Sequence, residues 1–191
     1  KNFENKKNIL RKFMQQKKIN FPIVLKPVDE GSSLGVKIVK NMYDMMKSTK
    51  VLYRNYNKLI FEQFIGGQEI QAAVIGKKAV GAIELIPKRL FYDYKAKYTK
   101  AAKTKHLMPA NLTKKKYSEV LKIALKAHQA LRCRGVTRSD FKFFKGNFYL
   151  LEINTQPGMT NLSLVPEIAN YYGITFTDLI EKILSDASVN K

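Results

Sequence analysis

The chain has 191 residues, 45% hydrophobic and 26% charged, a balance that supports a packed core and excludes a wholly disordered polypeptide. No run approaches the roughly 20 consecutive apolar residues of a membrane span, no secretory leader is expected at the start, and Cys133 stands alone, which excludes a disulfide framework and points to the cytoplasm. The net charge of +20 is nearly all lysine and is spread along the chain, with one short run at Lys114, Lys115 and Lys116. It therefore reads as compositional bias with salt-sensitive, non-specific polyanion binding, not as a specific nucleic-acid surface, where the planar fork of arginine dominates.

In chain order, the first eighteen residues carry Leu10, Phe13, Met14 and Lys17 at helical spacing. Pro22 to Lys26 predicts a short strand, a polar loop follows from Val28 to Gly35, and Val36 to Val39 predicts a second strand. A short helix is expected from Met42 to Lys47. Leu59 to Phe64 reads as a strand broken by Gly66 and Gly67, with further strands at Glu69 to Ile75 and Ala79 to Ile86. Pro87 to Asn111 is long, basic and aromatic without a clear period, and segments of that kind inside a compact domain are commonly functional or disordered.

Thr113 is placed to cap an amphipathic helix whose apolar face is Val120, Leu121, Ala124, Leu125, Ala127 and Leu131. A hairpin is predicted from Val136 to Phe144 and from Phe148 to Asn154, turning at Lys145-Gly146-Asn147. Two helices, near Leu164 to Tyr172 and Thr175 to Leu184, flank Gly173. Strands and helices mix without strict alternation, so the fold class is α+β. His106 and His128 are not spaced as a metal site and read as ordinary surface or helix residues.

The hairpin carries the strongest local signal. Side chains alternate along a strand, so Arg138 and Asp140 share a face, as do Glu152 and Asn154. A turn centred on Gly146 sets Asp140 opposite Glu152 and Arg138 opposite Asn154. The other face then presents Phe141, Phe143, Tyr149, Leu151 and Ile153 to the core. Two directly opposed carboxylates repel unless something lies between them, and a hard cation such as Mg²⁺, which takes oxygen ligands, fits that gap. A solvated polar face, with Arg138 pairing a carboxylate, is the competing reading of the same residues. The Glu30-Gly31-Ser32-Ser33-Leu34-Gly35 loop could form an anion-binding nest with Lys26 nearby, but taken alone it reads as a hairpin turn and is not a Walker A motif.

Four motifs in order, V-L-K-P-V-D-E-G-S-S-L-G, F-E-Q-F-I-G-G-Q-E-I, F-Y-D-Y-K-A-K-Y and L-L-E-I-N-T-Q-P-G-M-T-N-L-S-L-V-P, closely resemble those of D-alanine–D-alanine ligases of the ATP-grasp superfamily. The resemblance runs from about Phe21 to the end. It implies two small α+β subdomains with mainly antiparallel sheets sandwiching ATP: residues 1–64 as the central, ATP-binding subdomain, incomplete at its start, and residues 65–191 as the C-terminal catalytic subdomain. The implied reaction joins two D-alanine molecules through an acyl phosphate, for peptidoglycan precursors.

The same resemblance implies roles by position. Lys26 and Lys97 would contact ATP phosphates, with Ser33 and its loop closing over them. Glu62, Gln63, Phe64 and Ile65 would line the adenine pocket, and Glu69 would hold the ribose. Asp140, Glu152 and Asn154 would bind two Mg²⁺ ions, with Mn²⁺ as a substitute. Arg138 and the Gly158 N–H would stabilise the tetrahedral intermediate, Ser163 and Leu164 would hold the second D-alanine's carboxylate, and Ser32 and Tyr98 would position the first D-alanine. The Pro87 to Asn111 segment would act as a closing lid.

Relatives carry an N-terminal domain that supplies a glutamate for the first substrate and an early phosphate-binding lysine. Neither is among these residues, so a fragment, a split enzyme needing a separate N-terminal domain, or an inactive nucleotide-binding remnant are the three expectations. Gln63 also stands where a lysine is common. A homodimer is implied for the full enzyme, with no specific nucleic acid and no membrane as partners. A different ATP-grasp carboxylate–amine ligase is the alternative function.

Overall fold

The computed structural model describes residues 2–31, 33–87, 104–160 and 162–188, and side chains from Lys7 onward. The chain forms two compact units, one extending to Ile65 and the other beginning at Gly66.

In the first unit, helix α1 (Asn2–Gln16) precedes strands β1 (Ile23–Pro27) and β2 (Lys37–Val39), helix α2 (Met42–Leu52) and strand β3 (Leu59–Gln63). The three strands form an antiparallel sheet in the order β2-β1-β3. Alternation along β1 turns Ile23 and Leu25 inward, both fully buried, and leaves Val24 and Lys26 on the other face. The inward face meets Met42 and Met45 of α2 and Leu10 and Met14 of α1. Helix α2 extends to Leu52, beyond the Lys47 expected from sequence, because Leu52 is itself buried and lengthens the apolar stripe. Its start is capped by Asn41, whose Oδ1 accepts the Asp44 N–H at 2.9 Å.

The second unit holds strands β4 (Gln68–Ile75), β5 (Lys78–Ile86) and β6 (Lys105–Leu107), helix α3 (Lys114–Ala130), strands β7 (Val136–Phe144) and β8 (Asn147–Asn154), and helices α4 (Leu164–Tyr171) and α5 (Phe176–Asp186). The five strands form an antiparallel sheet in the order β6-β5-β4-β7-β8. Strand β6 lies inside the segment read as irregular from sequence; it pairs with β5 through only three residues, too few for alternation to announce it. Residues 88–103 of that segment lie outside the described residues.

Helix α3 lays Val120 and Ala124 on one sheet face, against Ile70, Ala72, Val74, Ala82 and Phe141. Thr113 caps it through the Lys116 N–H. Leu131, expected on its apolar face, is instead the C-cap residue and is 63% exposed. His128 completes the buried stripe, with Nδ1 2.8 Å from the Thr137 hydroxyl, while His106 on β6 meets Glu167 of α4 at 2.7 Å. Burial pushes the His128 pKa down, outweighing a backbone hydrogen bond at Cys133 that acts the other way. The unfolded chain therefore takes up this proton at higher pH than the folded one. The contribution to stability is full above the ordinary histidine value of about 6.5 and declines as the pH falls below it, toward the lower folded-state pKa. Urea midpoints for wild type should fall more steeply between about pH 7.5 and pH 5 than those of His128→Gln; parallel slopes would remove this role.

Helix α4 covers the opposite face over β5 and β4, with α5 packed against it. Gly81 allows that approach: a Cβ there would collide with the Tyr172 ring and come 3.0 Å from Ile168 Cγ2. Gly81→Ala should therefore destabilise the protein by about 1–3 kcal/mol through overpacking, seen as a lower denaturation midpoint. An unchanged midpoint would mean that α4 moves aside at little cost.

The β7–β8 hairpin turns at Lys145 and Gly146, both with positive φ (49° and 79°), as a two-residue turn of the I′ kind requires. Pairing runs Phe144↔Asn147 to Phe141↔Leu150, then jumps to Asp140↔Glu152. The bulge leaves Leu151 unpaired and changes the core-facing set expected from sequence. Phe148, not Tyr149, packs with Phe141 and Phe143, at ring separations of 6.1 and 4.5 Å. Tyr149 and Leu151 are 38% and 40% exposed.

Candidate functional site

The sheet face that α4 covers over β5 and β4 continues across β7 and β8 as a polar array. Residues directly opposite in an antiparallel pair point to the same side. Three cross-strand rows result: Glu69–Lys142, Gln71–Asp140–Glu152 and Ala73–Arg138–Asn154. The Asp140–Glu152 and Arg138–Asn154 juxtapositions are those expected from the hairpin: the two-residue turn shifts the ladder by one residue from a centre at Gly146, and the bulge shifts it back before both pairs.

Arg138 grips Asp140 with two parallel bonds, Nε to Oδ1 at 2.7 Å and Nη2 to Oδ2 at 3.0 Å. Their side chains are only 14% and 10% exposed, so the planar fork fixes the carboxylate in one orientation. Asn154 is half-buried and Glu152 exposed. One row along, Lys142 donates to Glu69 Oε2 at 2.9 Å, again with both side chains 14% exposed. Sequence reading left out Lys142 and Gln71, although Lys142 continues the Arg138, Asp140 alternation and could have been found that way.

The donor set suits a hard divalent cation. Each Asp140 oxygen has accepted one hydrogen bond and retains further acceptor capacity, Glu152 stands across the strand pair, and Asn154 adds an amide oxygen. Among the described residues no cluster of three or more His, Cys, Asp or Glu occurs, so any cation here rests on two carboxylates and an amide.

The turn after β8 brings Gly158 and Ser163 together: a Cβ on Gly158 would stand 2.8 Å from Ser163 Oγ. Ser163 Oγ is held by the Thr160 N–H at 3.0 Å and lies 3.0 Å from Thr160 Oγ1. It therefore makes no capping bond to α4, although Ser163 is the residue at its N-cap. The Leu164 side chain is buried, which leaves its backbone as the part able to meet a ligand.

In the first unit, Lys26 Nζ lies 2.9 Å from Glu62 Oε2, on the sheet face away from α1 and α2. The Gln63 side chain is committed internally: its Oε1 accepts the Asn20 N–H at 2.8 Å and its Nε2 donates to the Pro22 carbonyl at 3.3 Å. Phe64 and Ile65 follow β3, and the Phe64 N–H donates to Pro22. Ser33 has φ 63°, and the N–H groups of Leu34 and Val36 donate to Gly31 and Ser33 carbonyls within the loop, so those two are used by the turn itself. Ser32, Lys97 and Tyr98 lie outside the described residues. No helix among the described residues is long and apolar enough to cross a membrane.

Residues 1–185 match the family model described as D-ala D-ala ligase C-terminus. A D-alanine–D-alanine ligase of Pelagibacter ubique is 55% identical over 188 residues, covering 98% of this chain and 60% of the relative. The ligase of Geotalea uraniireducens is 46% identical over 171 residues, covering 89% and 55%. This chain thus spans between half and two thirds of the length of these curated relatives. Among solved structures, the Bacillus anthracis D-alanine–D-alanine ligase complexed with ATP aligns at a TM-score of 0.76 and 30% identity, covering 91% of this chain and 56% of the other. The VanG D-Ala:D-Ser ligase of Enterococcus faecalis aligns at 0.80 and 26% identity, covering 93% and 52%.

Proposed function

The chain belongs to the D-alanine–D-alanine ligase family, to its C-terminal part, and from that premise we propose that it carries the nucleotide-handling and ligation chemistry of an enzyme joining two D-alanines at the expense of ATP. The observation that carries the reading is the row Asp140–Glu152 beside Asn154, with Arg138 locked onto Asp140. Glu152 and Asn154 belong to the last of the ordered motifs, Arg138 and Asp140 to the strand paired with it, and the four share one sheet face.

A carboxylate is a poor electrophile. In the proposed reaction an oxygen of the first D-alanine's carboxylate attacks the γ-phosphorus of ATP, ADP departs, and an acyl phosphate forms. The amine of the second D-alanine then attacks the acyl carbon, phosphate leaves with the bonding pair, and the amine loses a proton. Mg²⁺, two ions in this reading, would supply charge neutralisation on the phosphates when held by Asp140, Glu152 and Asn154.

The remaining work falls to the chain. Lys26 and Lys97 would meet phosphate oxygens, which requires Lys26 to leave Glu62 or share it. Backbone groups of Glu62, Gln63, Phe64 and Ile65 would accept the adenine, consistent with a Gln63 side chain already engaged elsewhere. Glu69, oriented by Lys142, would accept ribose hydroxyls. Arg138 sets positive charge beside the carbon that becomes tetrahedral, and the Gly158 N–H would donate to its oxyanion. Ser163 and the Leu164 N–H would hold the second carboxylate at the start of α4, where backbone donors favour an anion. Ser32 and Tyr98 would orient the first substrate. A homodimer and a partner domain for the first substrate belong to the same proposal.

D-alanine-dependent phosphate release from Mg-ATP tests this directly. Release that requires D-alanine is expected if these residues suffice for acyl-phosphate formation. ATP binding without release would confine this chain to nucleotide handling, and no binding at millimolar nucleotide would overturn the reading. The likeness to a D-Ala:D-Ser ligase favours one second reading, a different acceptor. Few contacts separate such substrates, and a panel of D-alanine, D-serine and D-lactate would show which is used.

A further inference from the structure

Gln71 sits on β4, the strand next to β7, in the same cross-strand row as Asp140 and Glu152. It is 1% exposed, and its Oε1 has no hydrogen-bond partner. An unpaired amide oxygen in a protein interior costs free energy, and a methionine or leucine would fill the same volume without that cost. Its flanking residue on the other side, Ile83 of β5, is fully buried on the part of the face nearest α4. Gln71 is therefore the last residue of the row that the core could have made apolar, and it is polar.

Ser139 offers a contrast. Its hydroxyl is likewise buried without a partner, but it pairs with Ala72 on the opposite face, which α3 covers. Only the Gln71 oxygen shares a face with the carboxylates.

We propose that Gln71 is a positioning residue of the site, its Oε1 accepting a hydrogen bond from water bound to a divalent cation held at Asp140 and Glu152. Directly opposed residues place their Cβ atoms about 4.5–5.5 Å apart, a spacing that one water can bridge from an amide oxygen to the ion beside Asp140. Mg²⁺ and Mn²⁺ keep several waters when protein ligands are few, and acceptors for those waters tune affinity. The unpaired Gln71 oxygen is then the acceptor that a bound, hydrated cation would complete. This inference rests on the cation reading above.

The test combines Mn²⁺ binding, followed by the electron paramagnetic resonance of free Mn²⁺ with ATP present, and thermal denaturation without ligands. Gln71→Met should weaken Mn²⁺ binding by about tenfold or more, while the ligand-free protein melts no lower than wild type. Gln71→Glu, which keeps the acceptor, should retain binding. A Gln71→Met protein that binds Mn²⁺ normally, or that melts lower or fails to fold, would assign Gln71 a merely structural role and overturn the proposal. Glu152→Gln separates the two levels. If it loses binding while Gln71→Met does not, only the role of Gln71 fails; if it binds as wild type does, or if wild type binds nothing, the cation reading itself fails.

Discussion

On the proposed reading, Glu152→Gln should lower D-alanine-dependent phosphate release by more than about a hundredfold, since Glu152 would be a direct cation ligand and its loss should exceed that of an outer partner. The substitution keeps shape and hydrogen-bonding capacity. Glu152 is exposed at the sheet's edge strand, so the folded state gives up little. Stability and activity should therefore separate: the denaturation midpoint stays near that of wild type while turnover disappears. A variant that turns over at the wild-type rate would remove Glu152 from the site. A variant that unfolds would show that the row is held together by something other than the strand ladder.

Arg138→Met produces the largest loss of stability. Asp140 is 7% exposed, and each of its carboxylate oxygens accepts a hydrogen bond from Arg138. Removing the guanidinium leaves a buried carboxylate uncompensated, a change that costs about 3–5 kcal/mol in comparable pairs. Exposed pairs are worth far less, so Lys116–Glu119 makes a useful comparison: its side chains are 28% and 38% exposed, and its removal should cost well under about 1 kcal/mol. Adding Asp140→Asn to Arg138→Met should restore much of the stability, since the buried charge is gone, but none of the activity. Chemical denaturation of the single and double variants checks both statements. Equal stability of the two would show that water or a neighbouring cation solvates Asp140 when Arg138 is absent.

The two variants bear on the inactive-remnant alternative as well. A decayed site has no reason to keep a two-bond Arg138–Asp140 pair in a row with a second carboxylate, since surrounding residues would tolerate apolar replacements. Release that requires D-alanine would exclude the relic.

Much of the polar face is legible from residues 138–154 alone. A period of two places Arg138 with Asp140 and Glu152 with Asn154, and a turn around Lys145-Gly146-Asn147 centred on Gly146 gives the pairing that the structure reaches through a tighter turn and a bulge. Helix α3 and its Thr113 cap, the break at Gly173 and the α+β class follow from equally local rules. The motif order around Lys26, Glu62, Glu152 and Ser163 pointed to the family without any geometry. The hairpin, helix, cap and break depend on neighbours a few residues apart, so spacing suffices to state them, whereas the family rests on the resemblance of the ordered motifs.

Tertiary structure decided the rest. The bulge at Leu151 exchanged Phe148 for Tyr149 in the core, because the aromatic pocket under α3 and the fixed Asp140–Glu152 pair could not both be met by an unbroken ladder. His128 is buried where its ring meets Thr137, a residue of another element. Gln71 gave no sign in the sequence, since its significance comes from β4 lying beside β7, two strands separated by more than sixty positions in the chain. Burial and cross-strand neighbours are properties of contacts that close long loops, and local pattern carries no information about which distant residue supplies them.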